Sequence, residues 1–333
     1  MTPVINPDYI VRPARREDAE AIISLYHAVS LKMVGEIEET LEDLLVEWQE
    51  LDLERDTRLV SKPDGQIVGY AVVEDGYTPE VSYMDVYLHP DEWDKDDTTQ
   101  AWLLNWTVER AREKIASVPP DVRVALRAYT HAHDEHFKAG LEAAGLTNIR
   151  QSYRMRIDFD APPAPAQLPD GFRLHISADG DAWRPILECI RDAWRDHFGY
   201  TERPFEEHYK EWSTYWQSYL HKRLWLLAMD GERIVGVCLC ETHSNDNPAF
   251  GWVSNLAVRR AYRRRGLGDA LLRLAFVHLY DLGSRRVGLG VDASSLTGAV
   301  GLYERAGMRV ETRFDLYEVE LRPGRDTTTR QAG

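Results

Sequence analysis

The chain reads as two copies of one pattern. Residues Ile10–Val29 and Gly171–Trp194 each describe a short strand, a polar turn and an amphipathic helix. Leu59–Asp75 and Trp225–Thr242 each describe two strands joined through Asp-Gly, a hairpin signal. Met84–Pro90 and Ser254–Arg260 each close a further strand, and Gly140–Leu146 and Gly301–Met308 each end a helix at glycine. The matched segments recur in the same order, about 160 to 170 residues apart, so a tandem duplication is the economical explanation. The predicted fold class is α/β, each copy a mixed sheet flanked by helices.

Between the copies, Pro162, Pro163, Pro165 and Pro169 exclude a helix or a central strand. The expected division is a first domain over 1–161, a proline-rich linker over 162–170, a second domain over 171–322 and a disordered tail over 323–333. The tail expectation rests on its lack of apolar residues to bury.

Charge narrows the partners. The 333 residues carry 40 Lys and Arg against 55 Asp and Glu, a formal net charge of −15. Such a chain repels nucleic acid unless its positive charge is concentrated. One concentration exists, with five arginines among the seven residues Arg259 to Arg265. A short arginine cluster suits a small polyanion better than a duplex. No apolar run reaches the roughly 20 residues of a membrane helix, and the N-terminus has no secretory pattern. Cys189, Cys238 and Cys240 have neither metal-ligand nor CxxC spacing, so no metal and a cytoplasmic location are expected. Cys238 and Cys240 alternate with Val237 and Leu239, which places both thiols on one face of a strand.

The arginine cluster sits where chemistry can use it. Gly251–Arg260 reads as a strand in which Val253, Asn255 and Ala257 alternate with Ser254, Leu256 and Val258. From Leu267 onward, Leu271, Leu272, Leu274, Ala275 and Leu279 follow helical spacing to a glycine stop at Gly283. Arg263, Arg264, Arg265, Gly266, Leu267, Gly268 and Asp269 therefore join a strand end to a helix N-terminus. Free amides and the positive end of the helix dipole converge there. Gly266 and Gly268 allow close approach of backbone to a ligand, and the arginines add mobile charge. The arrangement is an anion site suited to phosphate.

Arg263, Gly266 and Gly268 match the Gln/Arg-x-x-Gly-x-Gly/Ala signature, and on these residues the chain resembles the GNAT superfamily of N-acetyltransferases in a tandem two-domain form. The resemblance implies acetyl-CoA as co-substrate, its pyrophosphate at Arg263–Asp269 and its pantetheine arm along Leu256, Ala257 and Val258. It also implies a contact at Ser295, where many members have asparagine, and matches Leu302-Tyr303 to the family's Leu-Tyr pair. Tyr303 would then donate a proton to the departing CoA thiolate. Many relatives carry a glutamate where Trp252 stands, so the base lies elsewhere, with Glu241 and His243 at the end of the adjacent strand as candidates, or acts through water, or is not required.

The first copy departs from this pattern. Its matching segment holds Asp91, Glu92, Asp94, Asp96 and Asp97 against Lys95, with no glycine, and Phe137–Leu146 has no tyrosine. Like charges there repel a pyrophosphate, so the first copy is expected to be a degenerate scaffold that binds no cofactor. In the second copy, Asp192–Trp225 is crowded with aromatics and carboxylates, and His197, Tyr200 and Trp252 are candidate acceptor contacts. The expected reaction is direct attack by the primary amine of a small molecule in a ternary complex, by a monomer or homodimer. Two alternatives stay open: a protein or peptide N-acetyltransferase, and an acetyl-CoA-binding sensor without turnover.

Overall fold

The structure, a computed structural model, describes residues 4–37, 39–76, 78–93, 95, 97–177, 183–244, 247–295 and 298–329. Asp94 and Asp96 lie outside the described residues. The chain folds into two compact units, Met1–Arg150 with Phe314–Thr327, and Gln151–Arg313 with Thr328–Gly333.

Unit 1 takes β1 (Ile10–Arg12), α1 (Ala19–Met33), α2 (Leu41–Glu47), α3 (Leu53–Asp56), β2 (Thr57–Ser61), β3 (Ile67–Asp75), β4 (Val81–Leu88), α4 (Asp97–Lys114), β5 (Val124–His131) and α5 (Glu135–Ala143). Its strands β1 to β4 pair antiparallel in sequence order, and β4 then pairs parallel with β5. The parallel ladder covers only Val81–Tyr83 against Ala125–Arg127, although both strands run on, so β4 and β5 part. Thr40 caps α2 by accepting from the Asp43 amide while Asp43 accepts from the Thr40 amide, a reciprocal capping box.

Unit 2 takes β6 (Thr147–Asp158, from residue 151), β7 (Arg173–Ile176), α6 (Trp183–Trp194), α7 (Phe205–Ser218), β8 (Arg223–Asp230), β9 (Arg233–Glu241), β10 (Phe250–Val258), α8 (Leu267–Asp281), β11 (Arg286–Asp292), α9 (Ala299–Arg305) and the start of β12 (Arg309–Arg322). Strands β7 to β10 pair antiparallel in order, β10 pairs parallel with β11, and β11 pairs antiparallel with β6. One face is sealed by α8, whose Leu271, Leu272, Ala275 and Leu279 pack with Cys238, Cys240, Val253, Val287 and Leu289. Burying each such aliphatic side chain stabilises the fold by about 1.5–3 kcal/mol. Cys238 and Cys240 share this face as their spacing predicts, with sulfurs 3.6 Å apart.

Three expectations need correction. First, the last strand of each copy lies in the other unit. β6 pairs with β11 in unit 2, and β12 from Phe314 pairs with β5 in unit 1, so the unit boundary falls at Arg150 rather than at the prolines. Residues 162–170 are a crossover inside unit 2, with Ala166 and Leu168 packed on its core. Second, the tail is hydrogen-bonded rather than disordered through Thr329. Backbone bonds join Arg325 to Asp121 and Arg123, and Thr329 to Gly199 and Tyr200. A polar segment can be held by backbone pairing without burying apolar surface. Third, β10 does not alternate strictly. A bulge at Ser254 keeps Val253, Leu256 and Val258 together, opposite Cys240, Cys238 and Gly236.

Candidate active site

The parallel ladder of β10 and β11 covers Phe250–Val253 against Arg286–Leu289 and stops, while β10 continues to Val258 and β11 to Asp292. Leu256, Ala257 and Val258 remain paired to β9. On the β11 side that stretch carries no ladder, which leaves a wedge edged by backbone polar groups.

Past Val258 the chain makes a single turn, Arg260–Tyr262, and enters α8 through two left-handed residues. Arg264 has φ 60° and Gly266, the residue capping α8, has φ 80°. The first helical bond is from Ala270 to the Gly266 carbonyl, 3.0 Å. The amides of Leu267, Gly268 and Asp269 precede it, which leaves them as orphan donors at the positive end of the helix dipole. Gly268 serves packing as well, because a Cβ there would lie 3.3 Å from Leu302. That contact seats α9 on the first turn of α8.

The arginines divide into two groups. Arg263 donates to the Asp196 carboxylate at 2.5 Å and to the Ala193 carbonyl at 2.6 Å, Arg260 pairs with Asp192 and Asp196, and Arg259 donates to the Ile234 carbonyl at 2.8 Å. These three bind the turn to the C-terminal end of α6 and to β9. Arg264 and Arg265 are exposed and have no ion pair among the described residues, and Arg265 lies 5.1 Å over the Tyr262 ring. The mobile charge at the helix N-terminus is therefore Arg264 and Arg265, whereas Arg263 is a strut. Spacing to the glycines could not reveal this, because Asp196 is far away in sequence. Asp269 is paired with Arg273 at 2.8 Å, one helical turn on.

Tyr303 faces inward from α9 and is 8% exposed. Lost hydration, then the neighbouring Cys238 thiol, raises its pKa well above the usual phenol value, so it keeps its proton at neutral pH. Glu241 ends β9 opposite Trp252, and the Ser254 hydroxyl donates to its carboxylate at 2.7 Å. The sequence reading missed Ser254, whose orientation comes from the bulge. Its one visible signal is the adjacent polar pair Ser254-Asn255 in an otherwise apolar strand. Trp252 lies across β11, where a Cβ on Gly288 would sit 2.7 Å from its ring. His243 is bonded to the Thr242 hydroxyl at 3.0 Å. Ser295 lies in the turn after β11, its amide bonded to the Asp292 carbonyl at 3.1 Å.

The α6–α7 region is less open than its composition suggests. Trp183, Trp212, Trp216 and Trp225 interlock with ring centroids 5.1–6.4 Å apart, and Trp216 and Trp225 are buried. Glu202, Glu206 and Glu211 are paired with Arg191, Arg184 and Arg203. These aromatics are packing and these carboxylates are neutralised. His197 stacks on Trp194, and Tyr200 donates to Glu202 at 2.8 Å. Gly199, left-handed at φ 78°, turns the chain between them.

The model of the Acetyltransferase (GNAT) family matches residues 186–308, which contain the wedge, the glycine-capped helix and Tyr303. The chain is 36% identical over 113 residues to a mycothiol acetyltransferase of Corynebacterium glutamicum, covering 32% of this chain and 37% of that protein. Matches to the corynebacterial relatives span 30–37% of those proteins' lengths. A mycothiol acetyltransferase of Salinispora tropica is 30% identical over 66% of this chain and 73% of its own. Among solved structures, a GCN5-related N-acetyltransferase of Sphaerobacter thermophilus superposes with a TM-score of 0.80 at 30% identity, covering 97% of this chain and 99% of that one. Identity sustained over that coverage reflects descent rather than a shared architecture alone, and the chain belongs to the GNAT acetyltransferase family.

Proposed function

We propose that unit 2 is an acetyl-CoA-dependent N-acetyltransferase centre, acting on a primary amine of a small molecule by direct attack while both ligands are bound. The observation that carries this reading is the wedge between β10 and β11 opening beside the N-terminus of α8. Its backbone at Leu256, Ala257 and Val258, paired to β9 but carrying no ladder on the β11 side, fits an amide-bearing arm. The amides of Leu267, Gly268 and Asp269, with Arg264 and Arg265, fit a pyrophosphate. Ser295, in the turn after β11, is taken as a further contact in this reading. Acetyl-CoA, when bound, supplies an activated acetyl thioester.

The chain's own groups handle the protons. Tyr303, kept neutral by burial, donates to the departing sulfur. Glu241, oriented by Ser254, accepts a proton from the incoming amine, directly or through water. Trp252, His197 and Tyr200 border the acceptor. In unit 1 the corresponding turn is Pro90–Glu92, and Glu92 is held by Lys62, Lys95 and the Tyr9 hydroxyl. Trp93 Nε1 donates at 2.9 Å to the carbonyl of Leu88, the last residue of β4. These contacts support a unit 1 that binds no acetyl-CoA.

Relatives named mycothiol acetyltransferase favour a small-molecule acceptor. The test is a panel of small primary amines and peptides, read by release of free CoA thiol. Turnover with small amines is expected. Turnover with peptides alone would make the protein-modifying reading correct, and none with either would leave a cofactor-binding protein without catalysis.

A further inference from the structure

Unit 1 contains a cavity of about 430 Å³, inside the range of about 300–1,000 Å³ that small-ligand sites occupy. One wall is the short helix α3 running into β2, with Asp52, Glu54, Arg55 and Arg58. The other is one face of α4, where Trp106, Arg110 and Glu113 follow one another at helical spacing. Asp52 caps α3 by accepting from the Arg55 amide at 3.3 Å, and the helix ends after a single turn at Asp56. Arg58 therefore stands near the start of β2, facing Trp106.

The two arginines deepest in these walls differ in what they hold. Arg110 gives both Nε and Nη2 to Asp56 Oδ1, at 3.0 and 2.8 Å, and its Nη1 to Glu113 at 2.8 Å. Asp56 also takes Lys114 at 3.3 Å, so that carboxylate is fully engaged. Arg58 is anchored by its other edge. Its Nη1 donates to the carbonyls of Glu54 and Thr57 at 3.0 and 2.6 Å, and its guanidinium carbon lies 4.8 Å from the centre of the Trp106 ring. Nε and Nη2, the pair that Arg110 gives to Asp56, have no hydrogen-bond partner among the described residues, and Arg58 makes no ion pair there.

Electrostatics mark the same contrast. At Arg58 lost hydration outweighs the pull of Glu113 and lowers the pKa, whereas at Arg110 the bonds to Asp56 and Glu113 outweigh lost hydration and raise it. Arg58 nevertheless stays charged at neutral pH, as arginines do. It is a partly desolvated cation, fixed in place, with its carboxylate-binding edge vacant. Arg55, Asp52 and Glu54 are exposed at the rim and form no ion pair among the described residues. They set one more cation and two anions beside that edge, so a ligand with several negative charges is opposed while a single carboxylate is not.

We propose that this cavity binds a small organic monocarboxylate, its two oxygens on the Nε–Nη2 edge of Arg58 and its carbon body against Trp106. A planar guanidinium matches the two oxygens of a carboxylate through parallel bonds, and such charge-assisted pairs are both strong and selective. Trp106, half-buried, supplies apolar surface in a wall that is otherwise charged. The site is independent of acetyl transfer in unit 2.

The probe is phenylacetate, titrated into the full chain and followed by ligand-observed NMR, with 2-phenylethanol and phenyl phosphate as controls. Saturable binding of phenylacetate is expected, at least about tenfold tighter than that of the alcohol, which lacks the carboxylate. Phenyl phosphate should bind more weakly than phenylacetate, because the rim acids oppose its second charge. Arg58→Lys keeps a cation but removes the fork, and should weaken phenylacetate binding at least about tenfold. Should that variant not fold, Arg55→Ala alters an exposed side chain that makes no ion pair among the described residues, and should weaken binding about threefold. The comparison of acid with alcohol in the unmodified protein needs no variant at all. No saturation up to about 10 mM, equal binding of the alcohol, tighter binding of phenyl phosphate, or binding untouched in every variant that folds would each overturn the proposal.

Discussion

Gly266→Asp is expected to weaken acetyl-CoA binding by a factor on the order of 10² to 10³ while leaving the fold intact. Gly266 caps α8 in the left-handed region, φ 80°, where aspartate is tolerated better than most residues. A Cβ there meets nothing closer than Pro169 Cγ at 3.5 Å, an ordinary contact. The new carboxylate has two effects on the ligand. It accepts from the first-turn amides, as a capping aspartate does, and so occupies the donors a pyrophosphate needs. It also sets a negative charge against the pyrophosphate's own, and unit charges about 4 Å apart at a protein surface repel by about 4 kcal/mol. Gly266→Ala carries the strain without the charge and should lose far less affinity. Calorimetric titration of both variants, with circular dichroism as the folding control, checks the prediction. Equal losses from alanine and aspartate would mean that backbone conformation, rather than the anion site, is what glycine secures.

Tyr303→Phe should lower kcat by about 10²-fold with acetyl-CoA affinity nearly unchanged. A proton is needed as the sulfur departs, so the interaction is stronger in the transition state than in the ground state and appears in kcat. General-acid help spans about 10²- to 10⁴-fold, and a thiolate is already a good leaving group, which places the effect at the low end. Phenylalanine keeps the ring that packs beside Ala306 and Met308. Among the described residues the Tyr303 hydroxyl makes no hydrogen bond, and its charged form is disfavoured by burial, so its loss should not lower the melting temperature appreciably. Steady-state kinetics with saturating amine reads the effect. Undiminished turnover would return Tyr303 to a packing role, and a collapse of affinity would make its hydroxyl a binding contact.

How much of this was legible in the sequence depends on how local the information is. The strand, turn and helix order of each copy appears as expected, because hydrophobic period, Asp-Gly turns and terminal glycines are local signals. The loop from Arg263 to Gly268 likewise announces a helix N-terminus through neighbours in sequence. The exchange of β6 and β12 was not legible, since either strand's pattern of side chains suits either sheet and the choice is made by long-range pairing. The strut role of Arg263 depends on Asp196, which only the fold brings near. The bulge at Ser254 defeats a strict two-residue period, and with it the contact between Ser254 and Glu241.

The most direct test of the account is the stoichiometry of acetyl-CoA binding to the unmodified chain. The wedge and glycine-capped helix of unit 2 are matched in unit 1 by a parted strand pair, but there the turn carries Glu92 and no glycine cap. Calorimetric titration should therefore give one site per chain, and Gly266→Asp should remove it. Two equivalent sites, or one site that survives Gly266→Asp, would contradict the assignment of acetyl transfer to unit 2.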